Sequence, residues 1–196
     1  MTGVQTCALP ISDVNAQGGE YGNALQASAA SGHEAVVRLM VDRGADVNAQ
    51  GGQYGNALQA AASQGNEAVV RLLVDLGADV NAQGGQYGNA LLAAAFRGNE
   101  AAVRLLVDRG ADVNAQGGKY GNALQVAAFR GNEALVQLLV DRGADVNAQG
   151  GKYGNALQAA TLKGYDCWWI SGSTSTPRAA NTATLSKQRH LGVTRR

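Results

Sequence analysis

From Glu67 to Asp75 the chain reads EAVVRLLVD, with Val69, Leu72 and Leu73 at i, i+3 and i+4. That spacing gathers the apolar side chains into one stripe of a helix. Arg71 and Asp75 fall off the stripe and are expected to form an i, i+4 pair. Just upstream, Ala57, Leu58, Gln59, Ala60, Ala61 and Ala62 are all compatible with a short helix. Asn56 can cap its start, and Gly65 can end it in the left-handed conformation. Asn66 is then expected to cap the second helix, with Glu67 at its positive end, and Gly77 to stop it. The whole pattern returns every 33 residues. It predicts paired antiparallel helices at about residues 23–31 and 34–43, repeated at that interval, with negligible regular sheet.

Between pairs lie segments such as Asp79–Gly88, where Gly84, Gly85 and Gly88 require a turn-rich loop. The copies run Asp13–Ala45, Asp46–Ala78, Asp79–Ala111 and Asp112–Ala144, with a partial fifth from Asp145 to residue 165. Helices this short cannot bury their stripes alone, so neighbouring copies must stack. Small residues such as Ala60, Ala61 and Ala62 suit close helix approach.

These residues resemble the ankyrin repeat. The family pattern G-x-T-P-L-H-x-A-A-x-x-G-H, an apolar helix, then G-A-D-V-N-A is matched by Leu58, Ala61, Ala62, Gly65, Val69, Val70, Leu72, Leu73, Gly77, Ala78, Asp79, Val80, Asn81 and Ala82. The departures are regular. Thr-Pro-Leu-His becomes Asn-Ala-Leu-Gln in nearly every copy, and Tyr54 stands where the family usually has glycine. The YGNALQAA variant is similar to arrays common in fungal proteins, often behind a NACHT-type nucleotide-binding module. The resemblance covers about residues 12–165 and implies an all-α solenoid of helix-turn-helix units with projecting loops, acting as a protein-interaction module. An alternative is the recognition or regulatory region of a larger nucleotide-binding receptor; an upstream P-loop in the parent gene would favour it.

The ends do not follow the repeat. The string TGVQTCALPI resembles a translated sequencing-library adapter, and Ser12 replaces the alanine that precedes the aspartate in the other copies. Residues 1–12 are therefore expected to be an artefact. Residues 166–196 are rich in Ser, Thr and Arg and are expected to be disordered. Read one base out of frame, Asp166–Ile170 can encode Leu-Leu-Val-Asp, and the rest can encode LGIDVNAAGGEYGNALQAAASRGHEA. The tail is expected to be a frameshifted repeat. Residues 1–11 and about 171–196 should lack a fixed position, while Trp168 and Trp169 could still cover the fifth copy.

Net charge is +1, which gives no general attraction for polyanions. No apolar run is long enough to span a membrane. The chain has 2 cysteines, Cys7 and Cys167, both outside the repeats, so no disulfide or thiolate site is expected within them. His33 occupies the second-helix cap position and is expected to be structural; His190 lies in the tail. Pairs such as Gly51-Gly52 lack the lysine and strand-to-helix context of a P-loop. The repeated Asp46, Asp75 and Asp79 have equivalent surroundings, which provide no distinct acid and base. A non-catalytic cytoplasmic module is expected, with no cofactor, metal, nucleic-acid, membrane or small-molecule partner.

Comparing copies shows where they differ. Loop tips read Glu20, Gln53, Gln86, Lys119, Lys152. First-helix ends read Ala30-Ser31, Ser63-Gln64, Phe96-Arg97, Phe129-Arg130, Leu162-Lys163, and second-helix ends read Arg43, Leu76, Arg109, Arg142. In ankyrin arrays the loop tips and first-helix ends line the concave binding surface. The resemblance thus implies a partner site at Gln86, Phe96, Arg97, Lys119, Phe129, Arg130, Lys152 and Lys163, suited to an acidic, partly apolar protein segment with Phe96 and Phe129 as anchors. Drift at exposed positions of recently duplicated copies would explain the same variation.

Overall fold

A computed structural model of the protein describes residues 13–162. Among them are nine helices: α1 (Ala24–Ser31), α2 (Glu34–Asp42), α3 (Ala57–Gln64), α4 (Glu67–Asp75), α5 (Ala90–Arg97), α6 (Glu100–Asp108), α7 (Ala123–Arg130), α8 (Glu133–Asp141) and α9 (Ala156–Thr161). Odd and even helices pair within a copy, and each pairs again with its counterpart in the next copy. The described residues hold no named strand, only one isolated bridge per loop, such as Gly51 with Gly55. The fold is an all-α repeat solenoid. The expectations for residues 1–11 and 171–196, for Trp168 and Trp169, and for the origins of both termini lie outside the described residues.

The first helices form one closely packed row, while the second helices are farther apart across copies. Side-chain size explains the difference. Ala60, Ala61 and Ala62 are fully buried and let α3 approach both neighbours, whereas α4 fills its interfaces with Val69, Val70, Leu72 and Leu73. Val70 therefore joins the expected stripe. One continuous apolar core runs through all the stacked copies, and each fully buried Leu or Val contributes about 1.5–3 kcal/mol.

Caps mostly follow the sequence. Asn56 Oδ1 accepts from the Gln59 amide at 2.8 Å, and Gly65 closes α3 at φ 80°. Asn66 departs from expectation. Its side chain makes no cap bond to α4, and its amide instead donates to the Ala29 and Ala30 carbonyls of the preceding copy at 3.0 and 2.8 Å. Carbonyls at the end of a helix lack intrahelical donors, and the Asn66 amide reaches two of them. Asn99 serves both needs, accepting from Ala102 at 3.1 Å and donating to the Gly65 carbonyl at 3.2 Å. His33 occupies its expected position but makes no side-chain cap bond.

The expected Arg71–Asp75 pair is replaced. Arg71 bonds Glu67 at 3.1 Å, because an acid one turn N-terminal to the base is the better i, i+4 orientation. Asp75 pairs across the stack with Arg109 at 2.7 Å, and Asp108 pairs likewise with Arg142 at 2.6 Å. The second-helix ends are thus inter-copy contacts. Leu76, which interrupts that column, packs against the core.

The loops are built to stack. Asp46 Oδ1 accepts from Asn48 N at 2.9 Å, and Asn48 then bridges the Gly77 carbonyl at 3.2 Å and the Asp79 amide at 2.8 Å. Gly55, at φ 93°, shows why glycine is required: a Cβ there would lie 2.7 Å from the backbone nitrogen of Gly85 in the next loop. The loop aspartates and glycines are accounted for by these contacts.

Candidate functional site

The face formed by loop tips and first-helix ends carries an aromatic strip. Its tyrosines come from the one loop position that is tyrosine in every copy. Tyr21 stacks on Tyr54 with centroids 5.7 Å apart, and Tyr120 on Tyr153 at 6.1 Å. Phe96, from the end of α5, lies between Tyr87 and Tyr120 at 5.3 and 5.2 Å. Phe129, from the end of α7, stacks on Tyr153 at 4.2 Å. Nine residues separate Tyr87 from Phe96 and Tyr120 from Phe129, which returns the chain from loop to helix end on the same face. Phe96 and Phe129 are half-buried within this strip rather than standing clear as anchors.

Cations lie over the rings. Arg130 sits 4.8 Å from the Phe96 centroid, Lys119 5.1 Å from Tyr120 and Lys152 5.8 Å from Tyr153. Such contacts contribute about 0.5–1 kcal/mol where water has access. Arg97 lays its stem against Gly65, where a Cβ would meet its Cγ at 3.3 Å. Arg97, Lys119, Arg130, Lys152 and Gln86 are all exposed. Lys163 lies outside the described residues. The seven others therefore share one face of copies three to five. In copies one and two the same columns are neutral or acidic, and Glu20 Oε1 accepts from Gln53 Nε2 at 2.6 Å.

The electrostatics agree with this packing. Burial pushes the Tyr87 phenol up from its ordinary value of 10.0, reinforced by Tyr120 and Tyr54 and opposed by Arg130 and Arg97. Burial also raises Tyr153, again with Tyr120 adding and Arg130 opposing. Tyr87 and Tyr153 therefore keep their phenol protons at neutral pH, beside a cationic margin. Tyr54 uses its hydroxyl to accept from Gln64 Nε2 at 3.1 Å. Sequence reasoning missed the tyrosines as part of the face; the signal was their invariance beside variable neighbours.

Among the described residues no cluster of His, Cys, Asp and Glu could hold a metal ion. No helix there is long and apolar enough to cross a membrane.

The model for ankyrin repeats (3 copies) matches residues 4–84 and 84–150. The chain belongs to the ankyrin-repeat family. Ankyrin repeats are generally protein-interaction modules, typically without catalysis. Among curated proteins, "Azaphilone pigments biosynthesis cluster protein L" of Monascus ruber is 62% identical over 32 residues. That stretch is 16% of this chain and 7% of the relative's length, a single ankyrin copy's worth.

Proposed function

We propose that this ankyrin array is a cytoplasmic, non-catalytic binding module whose face in copies three to five captures an acidic, partly apolar protein segment. The carrying observation is the joint placement of Arg97, Lys119, Arg130 and Lys152 along one aromatic strip. Carboxylates would meet the exposed cations, while apolar side chains would cover the outer edges of Phe96, Tyr120 and Phe129. The cations over Phe96, Tyr120 and Tyr153 are held near a ring, so less side-chain freedom is lost when an acid binds them.

Rim charges chiefly set association rate and salt dependence, and desolvated aromatics hold the complex. With a protein partner selected against the whole array, Phe129→Ala is expected to weaken affinity mainly through faster dissociation. Lys119→Ala is expected to weaken it less, mainly through slower association. Both are measured by surface-binding kinetics on variants checked for folding. Negligible effects of Phe96→Ala, Phe129→Ala and Arg130→Ala together would place the site elsewhere.

A further inference from the structure

Three kinds of hydrogen bond tie the inner edge of one copy to the next. The buried glutamine of the first helix donates to a loop carbonyl ahead: Gln26 to Ala49, Gln59 to Ala82 and Gln125 to Ala148, each at 2.9 Å. Loop tips bond through their backbones, Gln53 to Glu20 at 3.0 Å, Gln86 to Gln53 at 2.9 Å and Lys152 to Lys119 at 2.8 Å. The cap asparagines Asn66 and Asn99 donate backwards to carbonyls at the end of the preceding first helix.

At the seam between copies three and four all three are missing. Leu92 stands where the glutamine should be and carries no donor toward Ala115. No bond joins Lys119 N to Gln86 O, and the Asn132 amide makes none to the end of α5. Asn132 Nδ2 would still come within 3.6 Å of a Cβ on Gly98, so the group is near but not bonded. What crosses the inner edge instead is side-chain contact: Phe96 on Tyr120, and Arg130 over Phe96. Gly88 still touches the loop at Gly117 and Gly118, by packing alone.

The outer edge of the same seam is intact. Asn81 Oδ1 accepts from Asp112 N at 2.8 Å, and Arg142 pairs with Asp108 at 2.6 Å. Hydrogen bonds are directional and fail steeply on misalignment, whereas apolar contact is non-directional and survives sliding. We infer that the seam between copies three and four is a joint built into the array, pivoting on Asn81 and Arg142 and opening at the Phe96 edge. Arg97 stands on one bank, and Lys119 and Arg130 on the other, so opening changes their spacing. The joint stands whatever binds this face.

Native-state hydrogen exchange on the full chain, read residue by residue, tests it. Lys119 N–H is expected to exchange about five- to tenfold faster than its counterparts Gln86 and Lys152, the factor one ordinary hydrogen bond provides. Leu92→Gln, which supplies the missing donor, is expected to slow exchange across residues 115–119 by a similar factor. Gln59→Leu removes one of the three ties at the preceding seam and is expected to accelerate Gln86 N–H by a smaller factor. Equal exchange at Gln86, Lys119 and Lys152 in the unmodified chain would overturn the joint. If Leu92→Gln fails to fold, the comparison of Gln86, Lys119 and Lys152 in the unmodified chain decides.

Discussion

The Gln125 side chain is 1% exposed, and both of its ends are engaged. Its amide donates to Ala148 and Gly154, and its oxygen accepts from Asn122 N at 3.0 Å, closing a capping box. In Gln26 and Gln59 the corresponding oxygen is buried without a partner. The same residue in the same column is therefore satisfied to different degrees along the stack. Tyrosines differ in the same way. Because Tyr87 and Tyr153 are raised in the folded array, unfolded tyrosines lose their protons first as pH rises. The stabilisation is complete below the ordinary value of 10.0 and is lost as pH climbs through the raised folded values. Urea unfolding at pH 8 and above pH 10 is expected to show falling stability, and the Tyr87→Phe, Tyr153→Phe double variant is expected to lose part of that fall.

At the level of the element, each loop is stabilised by close backbone approach and each second helix by apolar burial. Gly55→Ala would force a side chain into positive φ and against Gly85. It is expected to cost about 1–3 kcal/mol, measured by chemical denaturation. Leu73 is fully buried in α4, and Leu73→Ala is expected to cost about 2–5 kcal/mol. Arg109→Ala removes a pair in which both side chains are well exposed, so its expected cost is at most about 1 kcal/mol. A cost for Arg109→Ala matching that of Leu73→Ala would mean that ion pairs, not the apolar stripe, hold the second helices together.

For the whole array, stability is a sum of copy and interface terms. The described residues leave apolar surface at both ends of the stack: Leu39 is 52% exposed in α2, and Leu157 and Leu162 are 43% and 65% exposed at α9. Hydrogen exchange is expected to be fastest in α1, α2 and α9 and slowest in α3 to α6. Replacing residues 166–196 with the out-of-frame reading would add apolar residues able to cover Leu157 and Leu162, and is expected to raise the melting temperature. An unchanged melting temperature would count against stability arising from the stacking of copies.

The sequence by itself determined the parts that depend on near neighbours. Spacing in EAVVRLLVD marked the buried stripe, Asn56 and Gly65 marked the ends of α3, and the recurring glycines marked turn-rich loops. It also located the columns that vary. Only the tertiary structure decided which partner each side chain takes when several compete. Arg71 chose Glu67, Asp75 was drawn to Arg109 in the next copy, and Asn66 turned back to α1. Phe96 packed against Tyr120 and Phe129 against Tyr153, each a tyrosine of the next copy's loop. These outcomes rest on contacts between copies, set by how closely the alanine-rich helices pack, and a residue's own neighbours in sequence carry no record of that distance.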